Sequence, residues 1–202
     1  MKIIAIGLGF TKGDAKLSHA IAWLTAPWKW RFSKERLKKV CSHVFIWFRK
    51  EDGSVWYFEA LIDKDWVGPK PVEKVLRWSM ESSGRWVRFF DLWTYDDAGM
   101  QKAWDDCMAK LGVWKYAKKQ LRLMPRTQWL GRLVVGPTPF EVICSEAVAR
   151  VLYFANRLCD FRKYTKRKEF DWIAPQPMME ACIEHPVIKE VTDEMFQTLE
   201  NA

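Results

Sequence analysis

The sequence predicts an α+β domain in which a small, mainly antiparallel sheet packs against helices. Two β-rich runs, 42–48 and 54–61, are joined by residues 50–53, whose Asp-Gly pair is typical of a hairpin turn. Apolar residues recur at helical spacing over 96–111 and 144–158. The chain therefore combines strands, predicted from the β-rich runs, with helices, predicted from the helical spacing of apolar residues. This combination is typical of the α+β class.

The predicted elements form a single domain, 1–202, with a basic aromatic excursion near 26–40 and a C-terminal tail near 176–202. Asp14 is a potential N-cap for the first helix, and Gly112 follows the second one. In chain order we expect a strand over 2–8, a helix over about 14–26, the hairpin strands over 42–48 and 54–61, a strand over 85–92, helices over 96–111 and 144–158, and mostly loop over 113–139.

The composition is that of a globular protein with a basic surface. Hydrophobic residues make up 49% of the 202 residues, the formal net charge is +8, and 13 residues are Trp. Basic residues cluster in 29–39, 115–132 and 157–168. Such a surface attracts anionic lipid, glycan or nucleic acid, although a solvated face with a basic bias explains it equally simply.

The cysteines favour a reducing compartment. Their number, five, is odd, and none of them forms a CxxC pair. Lys12 and Asp14 follow the apolar N-terminus too soon for a signal peptide, and no apolar run approaches membrane-spanning length. We therefore expect a cytoplasmic protein without an integral membrane segment, and no metal or cofactor motif is present in the sequence.

Three residues have the chemistry of a nucleophile site. His43 opens a β-rich run, Glu59 lies in the next run, and Cys144 stands where a loop becomes a helix. A three-residue hairpin loop with Gly53 in the left-handed position places Glu59 on the same face as His43, one diagonal step away. A two-residue turn would place the two side chains on opposite faces. The His43–Glu59 pair thus depends on the hairpin register.

The position of Cys144 favours an activated thiol. A helix N-terminus stabilises a thiolate, and a neighbouring imidazolium would add to this effect. Main-chain N–H groups of the first helical turn have no acceptor within the helix and can receive an oxyanion. A cysteine on an apolar helix face is more often a small core residue. We interpret Cys144 as a nucleophile because His43 and Glu59 accompany it.

Several short runs resemble the permuted NlpC/P60 group of papain-like proteins, the YiiX/YaeF-like group, which is related to the lecithin:retinol acyltransferase family. The main matches are Ser42–Val44, Phe58–Leu61 and Ile143–Glu146, and weaker ones are Leu111–Tyr116 and Ile173–Pro175. In ordinary papain-like enzymes the Cys helix precedes the His strand, whereas the permuted group has the reverse order, as this chain does.

The resemblance implies a permuted papain-like fold and a cysteine hydrolase that cleaves a peptide or peptidoglycan-type amide bond. It implies that Cys144 is the nucleophile, His43 the general base and Glu59 the partner that orients the base. It also implies that Tyr116 lines the site and that no cofactor is needed. Ala117 departs from the family, which has an acidic residue after this tyrosine, and this weakens the Tyr116 assignment.

Two other functions are compatible with the sequence. Tryptophans and a basic face suit an anionic membrane surface, where the same site would act as an acyltransferase or lipid esterase on an acyl substrate. Alternatively, basic and aromatic residues alternate over 28–32, a pattern that fits a non-catalytic module binding nucleic acid. This last function leaves the arrangement of His43, Glu59 and Cys144 unexplained.

Overall fold

The computed structural model describes residues 2–12, 16–26, 28–61, 66–71, 86–92, 95–111, 113–116, 141–156, 160–165, 173–185 and 188–191. Residues 117–140, which form most of the predicted loop, lie outside this set, as does Cys159. Within these ranges no helix is long and apolar enough to span a bilayer.

The described elements include eight strands and six α-helices. They are, in chain order, β1 (Ile3–Lys12), α1 (Lys16–Thr25), a 3₁₀ turn (Trp28–Trp30), α2 (Lys34–Lys38), β2 (His43–Lys50), β3 (Val55–Leu61), β4 (Trp66–Pro71), β5 (Trp86–Leu92), α3 (Asp97–Lys110), β6 (Lys115–Tyr116), β7 (Glu141–Val142), α4 (Cys144–Ala155), α5 (Phe161–Tyr164), α6 (Pro175–Glu184) and β8 (Ile188–Glu190).

The main sheet has six strands in the order β4-β3-β2-β1-β5-β8, and every neighbouring pair is antiparallel. A separate parallel pair joins β6 to β7. The α+β class with an antiparallel sheet is therefore confirmed. Both edge strands, β4 and β8, were missed by the sequence analysis, since β4 carries two prolines and β8 has only three residues.

The hairpin between β2 and β3 has the three-residue loop that the sequence predicted as one of two possibilities. Gly53 has φ 80°, and the Lys50 N–H donates to the Ser54 carbonyl at 2.9 Å. Arg49 then pairs with Val55 and Ile46 with Phe58. This register places alternate residues of the two strands on a common face, which confirms the first of the two predicted registers.

The main core lies between one face of the sheet and helices α3 and α4. Asp96 caps α3 by accepting a hydrogen bond from the Gly99 N–H at 2.8 Å. The buried residues of this core include Leu8 and Phe10 of β1, Val44, Ile46 and Phe48 of β2, Ala103 and Cys107 of α3, and Val148, Val151 and Leu152 of α4. Because α4 packs on β2 and β3, its N-terminus is fixed relative to these two strands.

The other face of the sheet carries aromatic side chains. Phe45, Tyr57 and Phe89 form a second buried cluster, with 4.6 Å between the ring centroids of Phe45 and Tyr57. Gly9 faces this cluster, and a Cβ at Gly9 would lie 2.1 Å from the Phe45 ring. A side chain at this position of β1 would therefore displace the aromatic ring that packs across it.

The excursion near 26–40 contains α2, and Leu37 of this helix packs against α1. Two predictions need correction. The C-terminal segment near 176–202 was predicted to be a tail. Up to residue 191 its described part belongs to the packed fold, since most of α6 is buried and β8 pairs with β5. Leu111, expected on the apolar stripe of α3, is 44% exposed, because it follows the last helical residue.

Candidate active site

The candidate site lies where β2 and β3 separate. Their pairing ends at Ile46–Phe58, and beyond it β3 pairs only with β4, with Glu59 opposite Gly68. On its other side β2 stays paired to β1 as far as His43, opposite Thr11. The two strands thus part at the end of the sheet where β2 begins, and α4 contacts both of them.

His43 and Glu59 form a close pair in this opening. Their Nε2 and Oε2 atoms are 3.0 Å apart, and the side chains are only 22% and 11% exposed. A carboxylate can only accept a hydrogen bond, so the imidazole donates through Nε2. This fixes the orientation of the ring and leaves Nδ1 to face another partner.

That other partner is Cys144, the first residue of α4. Its side chain forms a hydrogen bond with His43, and its sulfur also accepts main-chain hydrogen bonds from Val44 and Ser145. Cys144 is 4% exposed. The residue before it, Ile143, supplies no side-chain cap to the helix. The thiol therefore lies in the first turn of α4, at an N-terminus that has no side-chain cap from Ile143.

The charges of the site stabilise an ion pair. Burial raises the pKa of the Cys144 thiol, but attraction and a hydrogen bond from His43, with the main-chain donors, leave it below its ordinary value. Burial lowers the pKa of His43, yet the attraction and hydrogen bond of Cys144, aided by Glu59, raise it to about 10. Both shifts favour a thiolate beside an imidazolium over a neutral thiol beside a neutral imidazole.

The other described cysteines lack this environment. Cys41, Cys107 and Cys182 are buried and form no disulfide with another cysteine of the described ranges. Burial raises the pKa values of Cys41 and Cys107 far above the ordinary value. Across the described ranges no group of three or more His, Cys, Asp or Glu side chains could hold a metal ion.

Two buried polar side chains that the sequence analysis missed hold the site in place. The Ser145 hydroxyl donates to the Ile173 carbonyl at 2.6 Å, which ties the first turn of α4 to the segment before α6. Gln176 of α6 accepts the Cys41 N–H at 2.9 Å. Both side chains are at most 1% exposed. One signal in the sequence marks each residue: Ser145 directly follows Cys144, and Gln176 directly follows the run Ile173–Pro175.

The main chain of Tyr116 lies near the candidate site. It pairs with Val142, two residues before Cys144. Its side chain lies outside the described part of the structure, so its predicted role as a lining residue stays a prediction. Among the predicted residues the structure thus brings His43, Glu59 and Cys144 together.

Comparisons with known proteins do not identify the chain. Searches against protein-family models, curated proteins and solved structures found no match.

Proposed function

We propose that this chain is a cysteine hydrolase with a permuted papain-like arrangement that cleaves an amide bond through an acyl-thioester. The observation that carries the proposal is the placement of His43, which hydrogen-bonds Cys144 on one side and Glu59 on the other. A thiol, a base and a carboxylate that orients the base form the working unit of a nucleophilic cysteine. The order of the three residues along the chain agrees with the permuted NlpC/P60 group.

In the first half of the reaction the Cys144 thiolate attacks the carbonyl carbon of the substrate. The carbonyl oxygen becomes an oxyanion, and main-chain N–H groups at the start of α4 can stabilise it. The His43 imidazolium then gives its proton to the leaving nitrogen, so the C–N bond breaks and an amine departs. Cys144 is left as a thioester, and His43 is neutral.

In the second half water resolves the thioester. Neutral His43 takes a proton from the water as the oxygen attacks the thioester carbon. The C–S bond breaks, the acid product leaves, and the sulfur departs as a thiolate beside the regenerated imidazolium. Glu59 stabilises the cationic form of His43 in both halves, because its carboxylate stays within hydrogen-bonding distance of Nε2.

A burst experiment tests the nucleophile without knowledge of the substrate. With p-nitrophenyl acetate, the wild type should release one equivalent of p-nitrophenol rapidly as Cys144 is acetylated, and more slowly afterwards. Mass spectrometry should find the acetyl group on Cys144. Cys144→Ala should abolish the burst, and His43→Gln should slow it strongly, since burial without the imidazolium raises the pKa of the thiol.

Cys107→Ala is the matched control, since Cys107 is a buried cysteine of α3 that lacks a histidine partner. Its burst should equal that of the wild type. A burst that survives Cys144→Ala, or acetylation spread equally over the cysteines, would contradict the proposed mechanism.

A further inference from the structure

A basic aromatic surface flanks the candidate site, and the proposed hydrolysis does not use it. We define it as Trp23 of α1 together with residues 28–39. Phe32 is 73% exposed, the largest value among the exposed large hydrophobic side chains that the structure describes, and Trp23 is 43% exposed. Large apolar side chains at such exposure within a polar surround commonly mark an interaction site.

The charge of this surface is almost entirely positive. Residues 28–39 contain a single acidic residue, Glu35, whose carboxylate lies 3.1 Å from the ammonium group of Lys38. The basic residues of the segment are Lys29, Arg31, Lys34, Arg36, Lys38 and Lys39. The surface therefore keeps a large positive excess after its internal ion pair is formed.

The surface rests on a packed base and is not an extended loop. Leu37 and Trp30 pack against a small core formed by Ala22, Ala26 and Val40. Arg31 donates to the Ala26 carbonyl at 3.1 Å, and its guanidinium lies 5.2 Å from the centre of the Trp23 ring. A partner would therefore meet a preformed surface, which lowers the entropic cost of binding.

The basic aromatic surface lies at the same end of the sheet as the candidate site. The Lys12 ammonium, at the end of β1, donates to the Leu37 carbonyl of α2. Its neighbour Thr11 pairs with His43 and accepts the Ser42 N–H. Whatever binds this surface is thereby brought close to the nucleophile.

We infer that the basic aromatic surface docks the protein onto an anionic phospholipid bilayer. Trp and Phe side chains enter the interfacial layer of a bilayer, and lysine and arginine side chains bind its anionic headgroups. Phe32 is exposed and stands in the chain between the exposed lysines Lys29 and Lys34. An exposed aromatic ring among cationic side chains suits the interfacial layer of an anionic bilayer.

Vesicle sedimentation of the full chain tests this inference. The protein should bind vesicles of phosphatidylcholine and phosphatidylglycerol, not vesicles of phosphatidylcholine alone, and binding should weaken as the salt concentration rises. The double variant Phe32→Ser with Lys34→Glu should bind at least about fiftyfold more weakly, from loss of the apolar insertion and of a headgroup contact.

The matched control is Phe154→Ser with Lys163→Glu. Phe154 is 48% exposed and lies ten residues along α4 from Cys144, about 15 Å away. This variant also replaces one exposed aromatic residue and one exposed lysine, and it should bind vesicles like the wild type. Circular dichroism establishes that both variants are folded.

Absence of wild-type binding to the anionic vesicles would overturn the inference, as would equal binding to neutral vesicles or equal losses in both double variants. Tight, salt-dependent binding of polyuridylate without vesicle binding would assign the surface to nucleic acid instead. If the test variant does not fold, the lipid and salt dependence of the wild type decides the question. Cys144→Ala should bind vesicles normally, so failure of docking and failure of the hydrolase mechanism are distinguished.

Discussion

Glu59→Gln gives a direct test of how the site activates its thiol. The substitution keeps the size of the side chain and can still accept a hydrogen bond from His43, but it removes the negative charge 3.0 Å from Nε2. Since both side chains are largely shielded from water, solvent screens little of this interaction. The carboxylate therefore contributes to the stability of the imidazolium, and through it to that of the thiolate.

The magnitude follows from the type of hydrogen bond. A hydrogen bond to a charged group contributes about 1.5–3 kcal/mol, and one pKa unit corresponds to about 1.4 kcal/mol. The pKa of His43 should fall from about 10 by roughly one to two units in the variant. The imidazolium of the variant should therefore lose its proton at lower pH, and above that pH the Cys144 thiolate no longer has a cationic neighbour.

Alkylation of Cys144 by iodoacetamide, followed by mass spectrometry across a pH series, measures this change. In the wild type the thiolate should react below pH 9.0, the ordinary pKa of the thiol. In Glu59→Gln the change in reactivity that accompanies loss of the imidazolium, on the alkaline side of the profile, should move to lower pH by roughly one to two units. Glu190→Gln removes a shorter but more exposed contact to Arg88 and should leave the profile unchanged.

An unshifted profile in Glu59→Gln would refute the reasoning, since it would show that Glu59 does not influence the thiol. An equal shift in Glu190→Gln would refute it as well, because the effect would then be a general consequence of lost charge.

Two further predictions concern stability. Gln176→Leu leaves a buried main-chain N–H group without its acceptor and should lower the free energy of unfolding in urea by about 1–3 kcal/mol; an unchanged midpoint would contradict the role of this hydrogen bond. Lys50 is buried with its ammonium 4.0 and 4.3 Å from the centres of two Trp rings, so Lys50→Met should cost about 1–2 kcal/mol. Lys110→Met removes a longer contact of 5.2 Å and should cost less, and the reverse order would exclude a cation–π origin.

The sequence predicted the parts of the fold that local signals specify. The Asp-Gly pair before Ser54 allowed only two hairpin registers, and one of them is observed. Apolar periodicity located α3 and α4 to within a few residues. These features depend on interactions between residues near in sequence, which a pattern can record.

The sequence did not predict the elements that depend on distant partners. β8 has three residues and is stable only as a neighbour of β5. α6 was expected in a tail, yet Met178 and Cys182 are fully buried against the rest of the core. Such burial depends on surfaces supplied by other parts of the chain.

By itself the sequence identified three candidate residues: a cysteine at a helix start, and a histidine and a glutamate in the two strands of a hairpin. Only the tertiary structure decided that Cys144 meets His43, because β2 and β3 separate at their ends and α4 is packed so that its first residue enters the opening. The charge state of the thiol is likewise a tertiary property. Burial alone would raise the pKa of the thiol, and the imidazolium from a distant strand lowers it below its ordinary value.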